Sequence, residues 1–371
     1  MVISGNAVGS QAAGPGNWSN APLFTTVARV DSATRITLSS RCAPAMDGIN
    51  TAQWDLGTDN TLALQNCLAT PGATPRGLTC TVPAGAYLVS GAPPTYDSRV
   101  YLHGGSQLRC DAGAVFVFPH HDTYIGTGAS FLNIASSASE TISGAIISGC
   151  TIVGTDLRFG FTQSIEFNYP IAISGAWTAQ NQVINNTIRN GWSDGEIVLT
   201  YGAAQTLISG NRISDCGFNG ITIISGTQNT IEHNILTDCS IDIEPTSNIP
   251  TNGPVRENLL RYNTITQLNR APPLGQVVMF STCTVEACES IEGRPTGADT
   301  IVVVNNILVN AVQIYPFCRK GRMSQTWFNN IARRSTGEPC VPGAAGCAAF
   351  AQGSCTHMRR AFVRPFDAAR P

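Results

Sequence analysis

A short pattern of apolar and polar residues recurs six times between Val183 and Ala332. Each copy reads apolar, two residues, Asn, one residue, apolar. The Asn positions are Asn186, Asn211, Asn234, Asn263, Asn306 and Asn330. A seventh copy, Ile147 to Ile152, has Cys150 in the Asn position. Successive Asn residues are separated by 25, 23, 29, 43 and 24 residues, which is typical of a solenoid whose repeat is one coil.

The alternation around each Asn is that of a β-strand, so the pattern predicts an all-β chain, a single-stranded right-handed parallel β-helix. We expect each Asn to lie at a bend, where it tolerates left-handed backbone geometry and stacks its amide on the Asn of the next coil. A solenoid lengthens without a new core, so one continuous body is expected. The predicted parts are a lead-in segment over 1–56, the β-helix over 57–335 and an irregular, Cys-containing cover over 336–371.

Two elements are predicted before the repeats begin. Residues 57–68 predict a short helix that Asp59 or Thr58 caps at its N-terminus. Its predicted apolar face comprises Leu62, Leu64, Cys67 and Leu68. Residues 23–39 predict one strand, with Val27, Val30 and residues 36–38 as its apolar positions.

Composition narrows the classes of partner. Charged residues make up 12% of the chain and the net charge is −2, which gives no electrostatic case for binding nucleic acid or an anionic membrane. Lys320 is the single lysine, so lysine chemistry is excluded nearly everywhere. No apolar run approaches the about 20 residues of a membrane span. The first 20 residues lack the charged and apolar regions of a signal peptide.

Thirteen cysteines raise the question of disulfides. Close pairs occur at Cys67 and Cys80, and further groups lie at 283/288 and at 340/347/355. Cys216 and Cys239 each lie five residues after a repeated Asn, so we expect them at the same height on neighbouring coils. A disulfide and a stack of small buried residues are both open there. No Cys/His spacing is typical of a zinc site, and no cofactor is predicted.

The strongest chemical signal is a group of four acidic residues. Placing Ile197, Ile221 and Ile241 in one inward column puts the acids on one outer face, because side chains alternate with period two. The four acids are Asp194, Glu196, Asp242 and Glu244. Glu196 and Asp242 lie two coils apart, about 10 Å along the axis. Flexible side chains can bring them into the window of an inverting glycosidase, about 6.5–9.5 Å.

In that hypothesis Glu196 or Glu244 is the general acid and Asp242 the general base, and crowding of carboxylates raises the pKa of the acid. The alternative is that all four are solvated surface residues, with Asp194 simply forming a turn. Candidate substrate contacts are Trp192, Tyr201, Arg212 and Arg256. The aromatic rings would stack on a sugar. In a lyase, either the arginines or Ca²⁺ would neutralise the substrate carboxylate. Asp215 and Asp238 form a second pair, for which a turn-forming role is favoured over catalysis or calcium binding.

Two sequence segments resemble a known superfamily. The segment Gly57-Thr58-Asp59-Asn60-Thr61-Leu62-Ala63-Leu64-Gln65, followed by Val82-Pro83-Ala84-Gly85-Ala86-Tyr87-Leu88-Val89, resembles the opening of pectate-lyase-like right-handed parallel β-helices, in which the helix plugs the first coil. Residues 25–39 resemble the lead-in of phage tailspike-like members.

The resemblance implies recognition and cleavage of a polysaccharide by hydrolysis, homotrimeric assembly, and an extracellular or virion-associated location. It supplies no residue-by-residue active site, because the calcium and arginine pattern of pectate lyases, the Gly-His-Gly of polygalacturonases and the Asp-Pro-His of alginate epimerases are all missing from the sequence. The superfamily also contains lyases and non-catalytic fibres, so both are alternatives to a glycoside hydrolase.

Overall fold

The fold was analysed in a computed structural model of the 371-residue chain. The structure describes residues 59–68, 77–89, 100–118, 130–135, 141–154, 169–190, 195–216, 219–243, 255–266 and 299–309. It also describes short strands at 2–4, 23–24, 27–32, 35–38, 53–55, 278–280, 313–316, 323–328, 331–333 and 349–350. Most of the predicted lead-in and cover segments lie outside these residues, so the proposed domain boundaries stay predictions.

Each complete coil contributes one strand to each of four parallel sheets. One such coil contains Gln182–Ile184, Thr187–Arg189, Ile197–Thr200 and Ala203–Ala204. We number the sheets one to four in this order. Strands one coil apart in the chain pair with each other in parallel, so the sheets run along the axis of a β-helix.

The strand bounds follow sheet by sheet. The first sheet contains Thr79–Val82, Gln107–Cys110, Ile146–Ser148, Gln182–Ile184, Leu207–Ser209, Thr230–Glu232, Asn258–Arg261, Asp299–Val304 and Met323–Phe328. The second contains Gly85–Leu88, Ala114–Phe118, Thr151–Gly154, Thr187–Arg189, Arg212–Ser214, Ile235–Thr237, Thr264–Thr266, Ile307–Val309 and Ile331–Arg333. The third contains Val100–Tyr101, Leu132–Ala135, Ile171–Ser174, Ile197–Thr200, Ile221–Ile223 and Ile241–Ile243. The fourth contains Ile142–Ser143, Thr178–Ala179, Ala203–Ala204, Gly226–Thr227 and Val255–Arg256.

The remaining strands form smaller sheets. Val278–Phe280, Gln313–Pro316 and Ala349–Phe350 are paired in parallel, so the predicted irregular cover contains at least one strand. Val2–Ser4 pairs antiparallel with Leu23–Phe24 and Gln53–Asp55. The single strand predicted over 23–39 is wrong, because Val27–Ser32 and Arg35–Leu38 form an antiparallel hairpin in which Val30 is exposed.

Apolar columns fill the interior at the predicted register. Ile197, Ile221 and Ile241 lie opposite one another on consecutive coils and are buried, as are Leu199, Ile223 and Ile243 two residues further on. Stacking identical branched side chains at a spacing of about 5 Å excludes water from the whole length of the core. The predicted inward columns of the third sheet are confirmed.

The repeated Asn residues form the predicted ladder at the bend between the first and second sheets. The Oδ1 atom of Asn234 accepts hydrogen bonds from the backbone nitrogen of Asn211, at 3.0 Å, and from its Nδ2, at 2.9 Å. Asn186, Asn263 and Asn306 continue the same contacts. One detail of the prediction is wrong, because the left-handed residue is the one before each Asn, as at Asn185 (φ 57°) and His233 (φ 55°).

A second ladder lies at the bend between the fourth and first sheets and was not predicted. Oδ1 of Asn258 accepts from the backbone nitrogen and Nδ2 of Asn229, both at 3.0 Å. Asn181 occupies the same column, but Thr206 replaces Asn on the coil between Asn181 and Asn229, and Nδ2 of Asn181 makes no hydrogen bond within the described structure. The sequence signal was an Asn five residues before three of the ladder residues.

The capping helix is Thr61–Leu68, and its buried residues are Thr61, Leu64 and Leu68. Asp59 caps it by accepting a 3.1 Å hydrogen bond from the Thr61 backbone nitrogen, as predicted. The predicted apolar face is partly wrong, because Leu62 is 66% exposed. At 100° per residue, Leu62 lies on the side of the helix opposite Leu64. Among the described residues, no helix has the length and hydrophobicity needed to cross a membrane.

Three disulfides join described cysteines. Cys67–Cys80 attaches the helix to the first sheet, and Cys216–Cys239 joins neighbouring coils, which decides the alternative left open above. Cys110–Cys150 was not predicted. Cys150 stands at the N-terminal end of the Asn ladder, where its backbone nitrogen donates to Oδ1 of Asn186. The other cysteine groups named above lie outside the described residues.

Candidate functional site

The outer face of the third sheet holds the predicted site, and it is buried. Its middle column consists of Ala172, Val198, Thr222 and Asp242 on four consecutive coils. The exposed fraction of each of these residues is 5% or less. Tyr169, together with Ala172 and Val198, forms a small apolar cluster there. Asp242 lies on the outer face as predicted but is buried, so the alternative that it is a solvated surface residue is wrong.

Glu196 is also buried, with an exposed fraction of 0%. It precedes the strand Ile197–Thr200 and belongs to a row with Phe131, Gly220 and Ser240. Phe131 packs in the core with its ring centroid 5.3 Å from that of Phe116. A Cβ atom at Gly220 would lie 2.9 Å from a methyl carbon of the core residue Leu236. Strand alternation does not extend into the bend, so this row faces the interior and not the predicted outer face.

The Glu196 carboxyl group has unusual surroundings. Neither oxygen has a hydrogen-bond partner among the residues that the structure describes. Burial raises the pKa of this carboxyl well above its ordinary value of 4.5, because desolvation penalises the charged form. The predicted cause, repulsion between crowded carboxylates, is not the one found. Burial therefore favours the protonated form of this carboxyl.

Asp242 belongs to a buried polar cluster. The Asn219 amide donates from Nδ2 to Oδ2 of Asp242 at 3.4 Å, and the Ser240 hydroxyl donates to Oδ1 of Asn219. All three side chains are at most 1% exposed. Asn219 thus links the two coils and orients the Asp242 carboxylate.

The register gives the separation of the two acids. Glu196 occupies the same row as Ser240 but lies two coils earlier in the chain. Asp242 lies two residues after Ser240. Their Cα atoms are therefore about 10 Å apart across the sheet and displaced by about 7 Å along it. The two acids belong to one sheet, two coils apart, and do not lie in one column. Asp194, Glu244 and Trp192 lie outside the described residues.

The predicted substrate contacts that the structure describes lie on different parts of the coil. Tyr201 follows the third-sheet strand Ile197–Thr200 and is 43% exposed. Arg212 is exposed at the start of a second-sheet strand, far along the coil from the acids. Arg256 lies on the fourth sheet, and its buried Nε atom has no hydrogen-bond partner in the described part of the chain. Of the predicted contacts that the structure describes, Tyr201 alone lies next to the third sheet.

Trp177 is a candidate that the sequence interpretation missed. It is 58% exposed and lies on the coil before Tyr201, at the same bend between the third and fourth sheets. No equivalent position in the sequence marked it, because Trp177 lies two residues before Ala179 whereas Tyr201 lies three residues before Ala204, the partner of Ala179. Two exposed aromatic side chains on adjacent coils, about 5 Å apart along the axis, are suited to stacking on sugar rings.

The described side chains of this region are not arranged to bind a metal ion. Within the described ranges, no group of three or more His, Cys, Asp or Glu side chains is arranged to hold a metal ion. Asp215 and Asp238 both have left-handed backbone geometry, with φ of 57° and 54°, which is the turn-forming role favoured for them.

Comparison with known sequences gives the family. The profile that describes a right-handed beta helix region matches residues 123–356, which is more than half of the chain. The chain belongs to this family of right-handed β-helix proteins. This β-helix protein matches no curated protein sequence. The handedness predicted from the repeat is confirmed.

Several solved structures are similar to this β-helix protein. An iota-carrageenase in complex with carrageenan fragments is 11% identical, with a TM-score of 0.45, over 80% of this chain and 87% of its own. The A-module of the Azotobacter vinelandii mannuronan C-5 epimerase AlgE4 is 12% identical, with a TM-score of 0.41, over 77% and 76%. A mutant tailspike protein of E. coli bacteriophage HK620 in complex with a pentasaccharide is 12% identical, with a TM-score of 0.44, over 84% and 61%.

Proposed function

We propose that the protein binds a polysaccharide and cleaves it as a glycoside hydrolase, with Glu196 as the general acid and Asp242 as the general base. The observation that carries the proposal is the buried Glu196 carboxyl, whose oxygens have no hydrogen-bond partner among the described residues and whose pKa burial raises. A general acid must hold its proton at neutral pH and donate it to the departing glycosidic oxygen. The Asp242 carboxylate, oriented by Asn219, would activate the attacking water.

Trp177 and Tyr201 would hold the sugar chain beside the third sheet. Their exposed rings are displaced along the helix axis, so a polysaccharide bound there would run parallel to the axis. This mechanism requires that substrate reach Glu196 and Asp242, both of which are buried in the structure. Access to the two acids must therefore open, and the Glu196 carboxyl must turn from the core side of the sheet to the outer face, before the bond is cleaved.

That burial also favours a second candidate function, a non-catalytic β-helix that binds glycan or serves as a rigid rod. In that case the Glu196 carboxyl is a buried acid of the core, and only the exposed aromatic pair contacts sugar. A lyase is the third possibility, and Ca²⁺ is predicted only for it. An extracellular or virion-associated location and a homotrimer are further parts of the proposal. The three disulfides support an oxidising location.

The deciding experiment uses a panel of bacterial and plant polysaccharides, reading both new reducing ends and the absorbance of unsaturated uronates. If the protein is a hydrolase, Glu196→Gln and Asp242→Asn each lower the release of reducing ends by about 100-fold or more. Glu257→Gln, an exposed carboxyl on another bend, is the control and keeps full activity. Unsaturated products would indicate a lyase.

No product from any glycan, with folded protein throughout, would leave the non-catalytic function. Binding then separates a glycan-binding protein from a rod. Trp177→Ala and Tyr201→Asn are expected to weaken binding at the aromatic pair, and Asn suits the left-handed backbone of Tyr201, where φ is 53°. Light scattering gives the number of chains per particle and tests the trimer.

A further inference from the structure

The outer column of the fourth sheet is an accessible strip of mostly small side chains. It runs over consecutive coils in paired register and comprises Ser143, Ala179, Ala204, Thr227 and Arg256. Ser143 is exposed and the other residues of the column are half-buried, whereas the residue before each of them is buried. Short side chains end close to the backbone, so a chain-like ligand can lie along this fourth-sheet strip.

A ladder of exposed amides borders the fourth-sheet strip, because Gln205 and Gln228 directly follow Ala204 and Thr227. Nε2 of Gln205 donates to Oε1 of Gln228 at 2.9 Å, and Nε2 of Gln228 donates to Oε2 of Glu257 at 2.7 Å. An ionised carboxylate accepts hydrogen bonds and donates none, so Glu257 sets the direction of both amides. Each amide keeps a second N–H and an oxygen lone pair for a ligand. The ladder therefore offers hydrogen-bonding groups of fixed orientation at a spacing of one coil, about 5 Å.

An exposed aromatic side chain borders the other edge of the fourth-sheet strip. Trp177 is 58% exposed and lies two residues before Ala179. The pairing of Ala179 with Ala204 sets Gly202 opposite Trp177 on the next coil, and Gly202 has no side chain to cover the indole. The indole can stack on the apolar face of a pyranose, while amides on the opposite edge bind its hydroxyl groups. The two edges of the strip thus suit the two kinds of surface that a sugar presents.

Arg256 supplies a positive charge on the same strip. It lies opposite Thr227 on the neighbouring coil. Its buried Nε atom has no hydrogen-bond partner, and its guanidinium forms no ion pair with any residue in the described ranges. A charged donor without a partner is unfavourable where water cannot reach it. A carboxylate or sulfate group placed on the strip would satisfy this donor with a charge-assisted hydrogen bond.

We infer that the fourth-sheet strip is a binding surface for an acidic polysaccharide, an inference that rests on the glycan binding proposed above and does not require cleavage. A pyranose stacks on Trp177, hydroxyl groups bind the amides of Gln205 and Gln228, and a carboxylate or sulfate substituent pairs with Arg256. Trp177 and Arg256 lie three coils apart, about 14 Å along the axis, so a ligand that contacts both is an oligosaccharide and not a single sugar.

The test is affinity electrophoresis of the full chain in gels containing polygalacturonate, a sulfated galactan or neutral dextran. Arg256→Gln is expected to weaken binding to one or both anionic polymers at least tenfold and to leave any dextran binding unchanged. The polymer affected tells a carboxylate ligand from a sulfate ligand. Arg256→Lys keeps the charge but loses Nε and the planar fork, so its loss should be smaller than that of Arg256→Gln.

A surface variant tests the strip independently of the half-buried arginine. Gln205→Asn shortens an exposed amide and suits the left-handed backbone, where φ is 50°, and it should weaken binding at least threefold. Glu257→Gln keeps an acceptor for Gln228 and removes a negative charge next to Arg256, so it should bind at least as tightly as the wild type. Arg189→Gln removes an exposed arginine from the second sheet and should leave binding unchanged.

The inference is overturned if the wild-type protein binds neither anionic polymer, or if Arg256→Gln and Gln205→Asn, both folded by circular dichroism, bind them within twofold of wild type. Release of reducing ends, read in the same samples, separates this result from the fate of the proposed hydrolase. Cleavage of a neutral glycan without binding to either anionic polymer keeps the hydrolase and overturns the strip. Binding that Arg256→Gln abolishes, with no cleavage by the wild type, supports the strip and refutes the hydrolase.

Discussion

A single side-chain oxygen of Asn211 accepts hydrogen bonds from both nitrogens of Asn186, the backbone nitrogen and Nδ2, each at 3.0 Å. Asn211 in turn donates from its own Nδ2 to the Val183 carbonyl at 2.9 Å. Both asparagines are at most 1% exposed. The Asn211 amide therefore satisfies groups on the preceding coil that water cannot reach.

Asn211→Ala is expected to lower the free energy of unfolding by about 2–5 kcal/mol, because buried donors of Asn186 lose their acceptor. Denaturant unfolding followed by circular dichroism measures the change. Asn66→Ala, at an exposed position of the helix, is the control and should change stability little. Equal stability of the two variants would contradict the role of the ladder.

Thr206→Asn should stabilise the protein by about 1 kcal/mol. The new side-chain oxygen would accept from Nδ2 of Asn181, which has no hydrogen bond within the described structure. The Thr206 backbone nitrogen keeps its 2.9 Å bond to Oδ1 of Asn229. Melting temperature against wild type measures the gain, and Thr206→Val, which adds no acceptor, should show none.

Stability should fall as the pH rises above the ordinary Glu pKa of 4.5, because the Glu196 pKa is raised in the folded state. In the window between the unfolded and folded pKa values the native state holds the proton and the unfolded state does not. This stabilising term is complete below the window and is lost as the pH rises through it. Glu196→Gln removes the dependence, and unfolding at pH 5 and pH 8 measures it. Glu257→Gln should retain the wild-type slope, and a Glu196→Gln slope equal to wild type would argue against the shift.

Reducing agent applied to the native protein should open Cys67–Cys80 first. Cys67 is exposed, whereas Cys216 and Cys239 are 7% and 3% exposed, so an attacking thiolate reaches them poorly. Alkylation and peptide mass mapping over time should show at least a tenfold difference in rate. The difference should disappear in denaturant, and its persistence there would indicate a cause other than burial.

The fold could be predicted from the sequence because a β-helix repeats the same contacts from one coil to the next. The Asn ladder and the inward isoleucines were predictable from a pattern that spans one bend and two strands. The second ladder was missed because Thr206 interrupts it. Left-handed backbone geometry was predicted at each ladder Asn but occurs at the residue before it. The two positions are hard to tell apart in the sequence because both favour polar side chains.

The candidate site was predicted less well, for a physical reason. Period-two alternation holds inside a strand, and it placed Asp242 on the outer face correctly. Glu196 lies before its strand begins, at a bend. Its row includes Phe131, which packs against Phe116 in the core. Whether an outer face is covered also depends on chain segments distant in sequence. The burial of Asp242 therefore does not appear in any local pattern.

The spacing between equivalent ladder residues has a consequence for how such a chain changes length. Asn211 and Asn234 are 23 residues apart and make the same contacts. Excising one whole winding returns every surviving side chain to an equivalent neighbour, whereas removing a single residue shifts all later strands out of register. The length of the β-helix should therefore change in steps of one coil, about 5 Å each.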